Sequence, residues 1–199
     1  EEVLEETDMA FLFAQKYHSA MKNVGPVRKE MGERTIFNIL GPLTNPANAS
    51  HQLLGVYDKE LVEKLAEVLA NLGVTRGMSV CGSDGLDEIT VTGPTYCCEI
   101  KDGELTSYEI IPEQFGLSTY PLAELVGGTP EENAQITKDI LSGTLKGAKR
   151  DVVLMNAGIG IYLGSENLTM EEGIKKAEEL INSGEAYEKM EEFVKATQQ

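Results

Sequence analysis

A strand–helix–strand unit between residues 52 and 82 constrains the fold more than any other feature of the sequence. Gln52–Tyr57 is an apolar run of strand length, and four leucines from Leu61 to Leu72 recur on one helical face. Gly77–Gly82 follows as a second buried strand. The connection is long enough for a right-handed crossover between parallel strands. The unit therefore predicts an α/β fold.

Shorter strands follow this unit and predict a small antiparallel excursion. The candidate strands are Ile89–Thr92, Tyr96–Ile100 and Leu105–Ile111. Lys101–Glu104 separates the last two and contains an Asp-Gly pair, which is typical of a tight hairpin turn. We therefore expect a mainly parallel sheet flanked by helices and extended by an antiparallel hairpin.

The last third of the sequence is typical of helices. Thr129–Glu132 combines a threonine cap, a proline at the first helical position and a glutamate at the third, and Thr169–Glu172 repeats the capping-box pattern. Val152–Leu163 is ambiguous, because its apolar run suits either a buried strand or a tightly packed helix. Two helix starts are predicted, and the third element stays open.

The first fifty residues carry weaker signals. Phe11–Ala14 is too short to assign, and His18–Met31 has a helical spacing interrupted by a Gly-Pro pair, so we expect two helical pieces there. Arg34–Leu40 predicts a strand or a short helix. The glycine, prolines and asparagines between Gly41 and Asn48 predict a turn-rich loop.

Charge and composition limit the classes of partner. The 199 residues include 33 acidic and 17 basic side chains, and the net charge of −16 repels nucleic acid and anionic lipid. No apolar stretch approaches the roughly 20 residues that cross a bilayer. The three cysteines form neither a disulfide framework nor a spaced metal-ligand set. We expect one cytoplasmic domain over residues 1–199, with no nucleic-acid or membrane partner. Because the chain starts with glutamate, we expect it to begin inside a longer protein.

An acidic loop after the second strand is the strongest candidate site. Gly82–Glu88 follows a predicted parallel strand, and ligands of open α/β sheets gather beyond the carboxyl ends of such strands. The carboxylates of Asp87 and Glu88 are suitable ligands for Mg²⁺, which commonly keeps water and substrate phosphates in its coordination shell. A solvated acidic turn is the alternative interpretation of the same residues.

Two basic side chains near the start of the chain are further candidates. Arg28 could grip a carboxylate through two parallel hydrogen bonds, although an ordinary exposed arginine is the simpler interpretation. His18 suits either a pocket or a surface position. The sequence shows no Ser-His-Asp arrangement and no activated cysteine, so covalent catalysis has no visible support.

Four segments, in this order and spacing, resemble the anthranilate phosphoribosyltransferase family. They are Phe11–Lys22, Val27-Arg28, Arg34–Pro46 and Asp84–Glu88. The Arg34–Pro46 block is the most specific, and the resemblance covers essentially the whole chain. It implies an incomplete large domain of the nucleoside phosphorylase and phosphoribosyltransferase type. It also implies that Val152–Leu163 is helical.

The resemblance also implies roles for particular residues. Asp87 and Glu88 match the acidic pair that binds Mg²⁺ on phosphoribosyl pyrophosphate, and Arg28 matches the arginine that meets the anthranilate carboxylate. The residues that would line the approach of anthranilate are His18, Met21, Gly41 and Pro42. The implied reaction joins the anthranilate amine to the ribose of phosphoribosyl pyrophosphate and releases pyrophosphate, a step of tryptophan biosynthesis.

The sequence departs from the family in several places. Complete members begin with a helical domain, a glycine-rich phosphate loop and a Lys-His-Gly-Asn segment, and none of these occurs in this sequence. We therefore expect the isolated chain to be inactive. The resemblance implies a homodimeric parent protein and leaves the oligomeric state of this chain open. Ser19 stands where the family often has proline. Gly158 and Gly160 replace alanines, at about 1 kcal/mol each in helix propensity.

Two other functions stay open on the sequence. Pyrimidine nucleoside phosphorylases resemble this family in fold but lack the Arg34–Pro46 block, and phosphorolysis of thymidine or uridine would identify one. Some relatives bind nucleic acid without catalysis, although the net charge of −16 argues against that function.

Overall fold

The computed structural model describes residues 2–12, 25, 30–32, 35 and 37–198. Its helices are α1 (Glu2–Thr7), α2 (Phe37–Leu43), α3 (Lys59–Asn71), α4 (Pro130–Leu141), α5 (Ala148–Leu163), α6 (Met170–Ser183) and α7 (Glu185–Ala196). Its strands are β1 (His51–Gly55), β2 (Arg76–Gly82), β3 (Thr95–Lys101) and β4 (Glu104–Ile110). Two short 3-10 helices, Pro112–Phe115 and Leu122–Glu124, lie between β4 and α4. Within these ranges, no helix combines the length and apolarity needed to cross a membrane.

The four strands form one mixed sheet in the order β1-β2-β3-β4. β1 and β2 are parallel and are joined by α3, so the predicted strand–helix–strand unit is confirmed. β3 pairs antiparallel with both β2 and β4. The predicted α/β class is confirmed, and one of the three pairings in the described sheet is parallel.

β2 runs through the centre of the core, and all seven of its residues are buried. Cys81 shares a hydrophobic cluster with Leu65 and Leu69 of α3 on one face of the sheet. Met78 shares a second cluster with Met155 of α5 on the opposite face. Because helices cover both faces, the strand has no solvated side, and even its polar residues Arg76 and Ser79 are buried.

The three cysteines lie inside this core. Cys81, Cys97 and Cys98 are all free and buried. Desolvation by burial raises the pKa of the Cys97 thiol to about 12, and nearby Glu99 adds to that shift. The thiols are therefore packing groups, as expected for buried cysteines outside electropositive sites.

The predicted hairpin is confirmed, but one predicted strand is wrong. Asp102 and Gly103 turn the chain between β3 and β4 with φ values of 52° and 84°, as a two-residue hairpin turn requires. Ile89–Thr92, predicted as a strand, is a loop. Side chains provide hydrogen bonds to its backbone, such as the bond of 3.0 Å from the Thr90 amide to the Thr95 hydroxyl.

Both predicted helix starts are confirmed. Thr129 caps α4 and Thr169 caps α6, each within a complete capping box. The ambiguous Val152–Leu163 segment is helical and belongs to α5. In the first fifty residues, α2 confirms the short-helix alternative, and it continues to Leu43, so the turn-rich loop begins later than predicted. The helical pieces predicted between His18 and Met31 lie mostly outside the described residues.

Two glycines allow α5 and α6 to cross closely. A Cβ atom at Gly158 would lie 2.4 Å from the Cα atom of Ile174, and one at Gly173 would lie 2.3 Å from the carbonyl oxygen of Gly158. Gly160 faces open space, with nothing within 4 Å of the equivalent position. The missing side chain of Gly158 therefore allows the two helices to cross, and this offsets its low helix propensity. No close packing requires a glycine at position 160.

Candidate functional site

The acidic loop lies where the sequence predicts it, at the carboxyl ends of the parallel strands. β2 ends at Gly82, and the loop returns across the end of β1. A Cβ atom at Gly55, the last residue of β1, would lie 1.6 Å from the carbonyl oxygen of Asp87. The loop can cross at this distance only because residue 55 has no side chain.

Asp84 organises the loop from within. Its carboxylate accepts hydrogen bonds from the hydroxyls of Thr90 and Thr92, both at 2.6 Å. It also accepts one from the Leu86 amide at 3.0 Å. Partial burial raises the pKa of Asp84, but these hydrogen bonds outweigh it and lower the pKa below its ordinary value. The lone pairs of Asp84 are thus engaged inside the protein.

Asn156 of α5 ties the other end of the loop to the helical layer. Its side-chain oxygen accepts a hydrogen bond from the Ile89 amide at 3.1 Å, and its side-chain nitrogen donates to the Ile89 carbonyl at 2.8 Å. The sequence analysis missed this residue. The available signal was a single amide side chain within the otherwise apolar run Val152–Leu163.

Asp87 and Glu88, in contrast, point their charge outward. Both residues are exposed, and neither forms an ion pair with the basic side chains of the described ranges. Partial desolvation raises the pKa of Glu88, and the neighbouring charge of Asp87 raises it further. Two adjacent carboxylates without a neutralising cation are a suitable binding site for a metal ion or a positively charged group.

An open cleft of about 530 Å³ borders the two carboxylates. Its walls come from the acidic loop, the second 3-10 helix, α4 and α5. The lining residues are Leu86, Asp87, Glu88, Leu122, Leu125, Val126, Gly127, Asn133, Ile136, Thr137, Ile140, Lys149, Val152 and Val153. The cleft is therefore an apolar groove with an acidic rim, and the Lys149 ammonium within it donates to the Glu124 carbonyl at 2.5 Å.

The donor set of the loop suits a hard cation with an open coordination shell. Within the ranges that the structure describes, no three His, Cys, Asp or Glu residues cluster closely enough to enclose a metal. Asp87 and Glu88 would therefore fill only part of a shell and leave the other positions to water or ligand oxygens. Mg²⁺ commonly binds in this way, whereas structural Zn²⁺ takes four protein ligands.

The structure describes only some of the other predicted site residues. His18, Met21 and Arg28 lie outside the described residues. Gly41 and Pro42 belong to α2, and the Pro42 carbonyl accepts a hydrogen bond of 3.2 Å from the Gln52 side chain. This contact is near the amino end of β1, whereas Asp87 approaches the carboxyl end, and neither Gly41 nor Pro42 lines the cleft.

The opposite end of β2 holds a different polar cluster, which we call the Glu99 network. It comprises Arg76, Glu99, Tyr108 and Tyr162. The Glu99 carboxylate accepts hydrogen bonds from the hydroxyls of Tyr108 at 2.7 Å and Tyr162 at 2.5 Å. The Arg76 guanidinium lies 4.7 Å from the centre of the Tyr162 ring and donates to the Ser165 carbonyl. Burial and the bond to Glu99 raise the pKa of Tyr162.

The sequence of the chain places it in a class of glycosyl transferases. The chain belongs to the family described as "Glycosyl transferase family, a/b domain", whose model matches residues 1–187. Within that class it is similar to anthranilate phosphoribosyltransferases, so the resemblance found in the sequence is confirmed. The relative from Endomicrobium trichonymphae is 52% identical over 197 residues, and that from Methanobrevibacter smithii is 52% identical over 195 residues. These matches cover 99% and 98% of this chain, and each covers 58% of the relative.

Solved structures give the same result. The anthranilate phosphoribosyltransferase of Thermus thermophilus has a TM-score of 0.91 and 42% identity, over 100% of this chain and 58% of that chain. The Saccharomyces cerevisiae enzyme in complex with PRPP and Mg has a TM-score of 0.82 and 35% identity, over 90% of this chain and 52% of that chain. The chain thus spans about 58% of the length of the curated relatives it matches.

Proposed function

We propose that the chain is the metal-binding and acceptor-binding part of an anthranilate phosphoribosyltransferase of tryptophan biosynthesis. The observation that carries the proposal is 52% identity over 99% of the chain to an enzyme of that name. The exposed carboxylates of Asp87 and Glu88, at the carboxyl end of a parallel strand pair, support it. Within the described residues, neither carboxylate forms an ion pair that would give it a structural role.

In the proposed reaction, the anthranilate nitrogen attacks the anomeric carbon of phosphoribosyl pyrophosphate. A carbon–nitrogen bond forms, the bond from that carbon to the pyrophosphate oxygen breaks, and the pyrophosphate leaves with the bonding electrons. The nitrogen then releases a proton to solvent. An aromatic amine has a free lone pair at neutral pH, so the site needs to supply mainly orientation and charge stabilisation.

Asp87 and Glu88 would hold Mg²⁺, which when bound neutralises negative charge on the departing pyrophosphate. A structural relative has been determined in complex with PRPP and Mg, which supports the same ligands for this protein. Arg28 would receive the anthranilate carboxylate through two parallel hydrogen bonds, since guanidinium and carboxylate match in geometry. His18, Met21, Gly41 and Pro42 would line the path of the acceptor, as the family resemblance implies.

The proposal includes the setting of the whole protein. We place it in the cytoplasm, where free buried cysteines remain reduced, as a homodimer without nucleic-acid or membrane partners. The 199-residue chain alone should be inactive, because its sequence contains no glycine-rich segment of the kind that cradles phosphates.

A chimeric enzyme tests the function directly. Residues 1–199 replace the matching portion of the Thermus thermophilus relative, and the purified chimera is incubated with anthranilate, phosphoribosyl pyrophosphate and Mg²⁺. We expect stoichiometric loss of anthranilate and release of pyrophosphate by the chimera, and no turnover by the chain alone. A folded chimera that leaves anthranilate unchanged but phosphorolyses thymidine or uridine would replace this proposal with a nucleoside phosphorylase.

A further inference from the structure

Asn156 is the one amide side chain in the apolar stretch Val152–Leu163 of α5. It is half-buried between the helix and the acidic loop. Besides its two bonds to Ile89, its side-chain nitrogen donates to the Val152 carbonyl within the helix at 2.9 Å. The amide is therefore anchored to its own helix before it reaches the loop, so its position depends on the position of α5.

The contact between Asn156 and Ile89 has two points of attachment. One side chain satisfies both the amide and the carbonyl of the same residue, across 67 positions of sequence. Such a pair fixes the orientation of a peptide segment as well as its distance, because a single hydrogen bond would still allow rotation. Ile89 directly follows Glu88, so the backbone that carries the second carboxylate cannot turn independently of α5.

The other side of the acidic pair is also held. Gly55 packs against the Asp87 backbone, and Asp84 joins both arms of the loop through Leu86, Thr90 and Thr92. The exposed carboxylates themselves contribute nothing to this order. The loop is thus fixed at residues 84, 87 and 89, and the charged groups of the loop that point outward are those of residues 87 and 88.

We propose that Asn156 is a positioning residue, which holds the Asp87–Glu88 pair in the orientation needed to bind the divalent cation. The inference rests on the proposed function for the identity of that cation. Groups behind metal ligands act in this manner by removing the conformations in which the ligands diverge. Without Asn156, the two carboxylates would sample several orientations, and binding would require their ordering.

Two variants and one control test the role. Asn156→Ala removes both bonds to Ile89, and Asn156→Asp keeps only the acceptor for the Ile89 amide. Leu154→Ala is the matched control, since Leu154 is buried on the same helix but packs in the cluster of α6 with Ile174 and Ile181. The control weakens the packing of α5 without touching the loop.

Steady-state kinetics of the chimera is the first measurement. We expect Asn156→Ala to raise the Mg²⁺ concentration for half-maximal rate about 10-fold or more. The KM for anthranilate should change less than about twofold, because the acceptor does not contact this loop in the proposal. Excess Mg²⁺ should restore most of the rate. Leu154→Ala should leave the Mg²⁺ dependence as in the wild type.

The second measurement uses the metal-free 199-residue chain and does not depend on turnover. Hydrogen exchange at the Ile89 amide should accelerate in Asn156→Ala and remain slow in Asn156→Asp and Leu154→Ala. Binding of Mn²⁺ alone, followed by electron paramagnetic resonance, should weaken about 10-fold in Asn156→Ala. If Asn156→Ala fails to fold, Asn156→Asp tests the same role, because it lacks only the donor to the Ile89 carbonyl. We then expect weaker Mn²⁺ binding in Asn156→Asp, with exchange at the Ile89 amide still slow.

The outcomes separate this inference from the proposed function. A wild-type chimera that does not turn over anthranilate contradicts the function, while the exchange and Mn²⁺ measurements still decide the role of Asn156. An active chimera in which Asn156→Ala keeps the wild-type Mg²⁺ dependence and Mn²⁺ affinity overturns the positioning role. Equal effects of Asn156→Ala and Leu154→Ala also overturn it, because they would reflect only weaker packing of α5.

Discussion

The two ends of β2 carry charged side chains in opposite ways. At the Gly82 end, hydrogen bonds hold the backbone of the loop and leave the carboxylates of Asp87 and Glu88 exposed. At the Arg76 end, the Glu99 network holds the charged groups themselves, and both carboxylate oxygens of Glu99 accept tyrosine hydroxyls. The difference teaches that a binding role is indicated by a fixed backbone beneath carboxylates that have no partner, and a structural role by a carboxylate whose oxygens already accept hydrogen bonds within the protein.

Removal of the unpaired charge should produce the largest effect on activity. In the chimera, Asp87→Asn combined with Glu88→Gln should lower the rate about 100-fold or more, since metal stabilisation of a leaving group is worth several kcal/mol. The melting temperature should stay within about 2 °C of the wild type, because neither carboxylate stabilises the fold. Glu166→Gln, at an exposed carboxylate near the Arg76 end, is the control and should retain full activity. A rate of the double variant within about threefold of wild type would contradict the binding role of Asp87 and Glu88 at the Gly82 end of β2.

A change in α5 should affect both ends together, because this helix carries Asn156 to the loop and Tyr162 to the Glu99 network. Gly158→Ala would place a methyl group 2.4 Å from the backbone of Ile174, so we expect a loss of about 3 kcal/mol in the free energy of unfolding. Gly160→Ala, two residues away in open space, should instead stabilise the helix by up to about 1 kcal/mol. Urea denaturation of the two variants measures both values. Similar stabilities for the two would mean that the crossing of α5 and α6 is looser than described.

The pH dependence of stability in Asp84→Asn tests whether Asp84 organises the loop at the Gly82 end of β2. We expect a loss of about 1.5 kcal/mol near neutral pH, because an amide has a single acceptor oxygen and can keep only the hydrogen bonds made to one of the two Asp84 oxygens. The folded pKa of Asp84 lies below its ordinary value of 3.8, so its contribution is present above that value and lost as pH falls through the folded pKa. The variant should therefore lose less stability than the wild type on acidification below about pH 4. Parallel pH profiles of stability would contradict the assignment of Asp84 as the organiser of the loop.

The smallest effect is expected at the structural end. Glu99→Gln keeps the shape of the side chain but replaces one of its two acceptor oxygens with an NH2 group, so only one tyrosine hydroxyl can still donate to it; this should lower the free energy of unfolding by about 1 kcal/mol. The rate of the chimera and its Mg²⁺ dependence should not change, since the network lies at the other end of β2. Thermal unfolding together with one kinetic series decides this. A changed Mg²⁺ dependence would mean that the two ends are coupled rather than separate.

Periodicity and capping signals made much of this fold predictable. Leu61–Leu72 predicted α3, the Asp-Gly pair predicted the hairpin, and Thr129 and Thr169 predicted the starts of α4 and α6. The prediction for Ile89–Thr92 was wrong because its alternating apolar and polar residues suit a strand, whereas its backbone amides bond to side chains: Thr90 to the nearby Thr95, and Ile89 to Asn156, which is 67 positions away. Local patterns contain no information on such long-range bonds.

The residues of the candidate site also divide into those that local sequence predicts and those that only tertiary contacts reveal. Asp87 and Glu88 were found from their position after a buried strand, which is a local feature. Asn156 and Gly55 were missed because their roles exist only after the loop meets α5 and β1. The roles of Arg28, His18 and Met21 remain predictions of the family resemblance.

The burial of all three thiols gives the protein an internal reporter of its own opening. A thiol reagent dissolved in water reaches Cys81, Cys97 or Cys98 only when the sheet and its covering helices separate, and a thiol whose pKa is near 12 reacts slowly even then until water surrounds it. The rate of alkylation therefore counts unfolding events, and it does so without any label or added residue. Any ligand that binds only the folded chain should lower that alkylation rate.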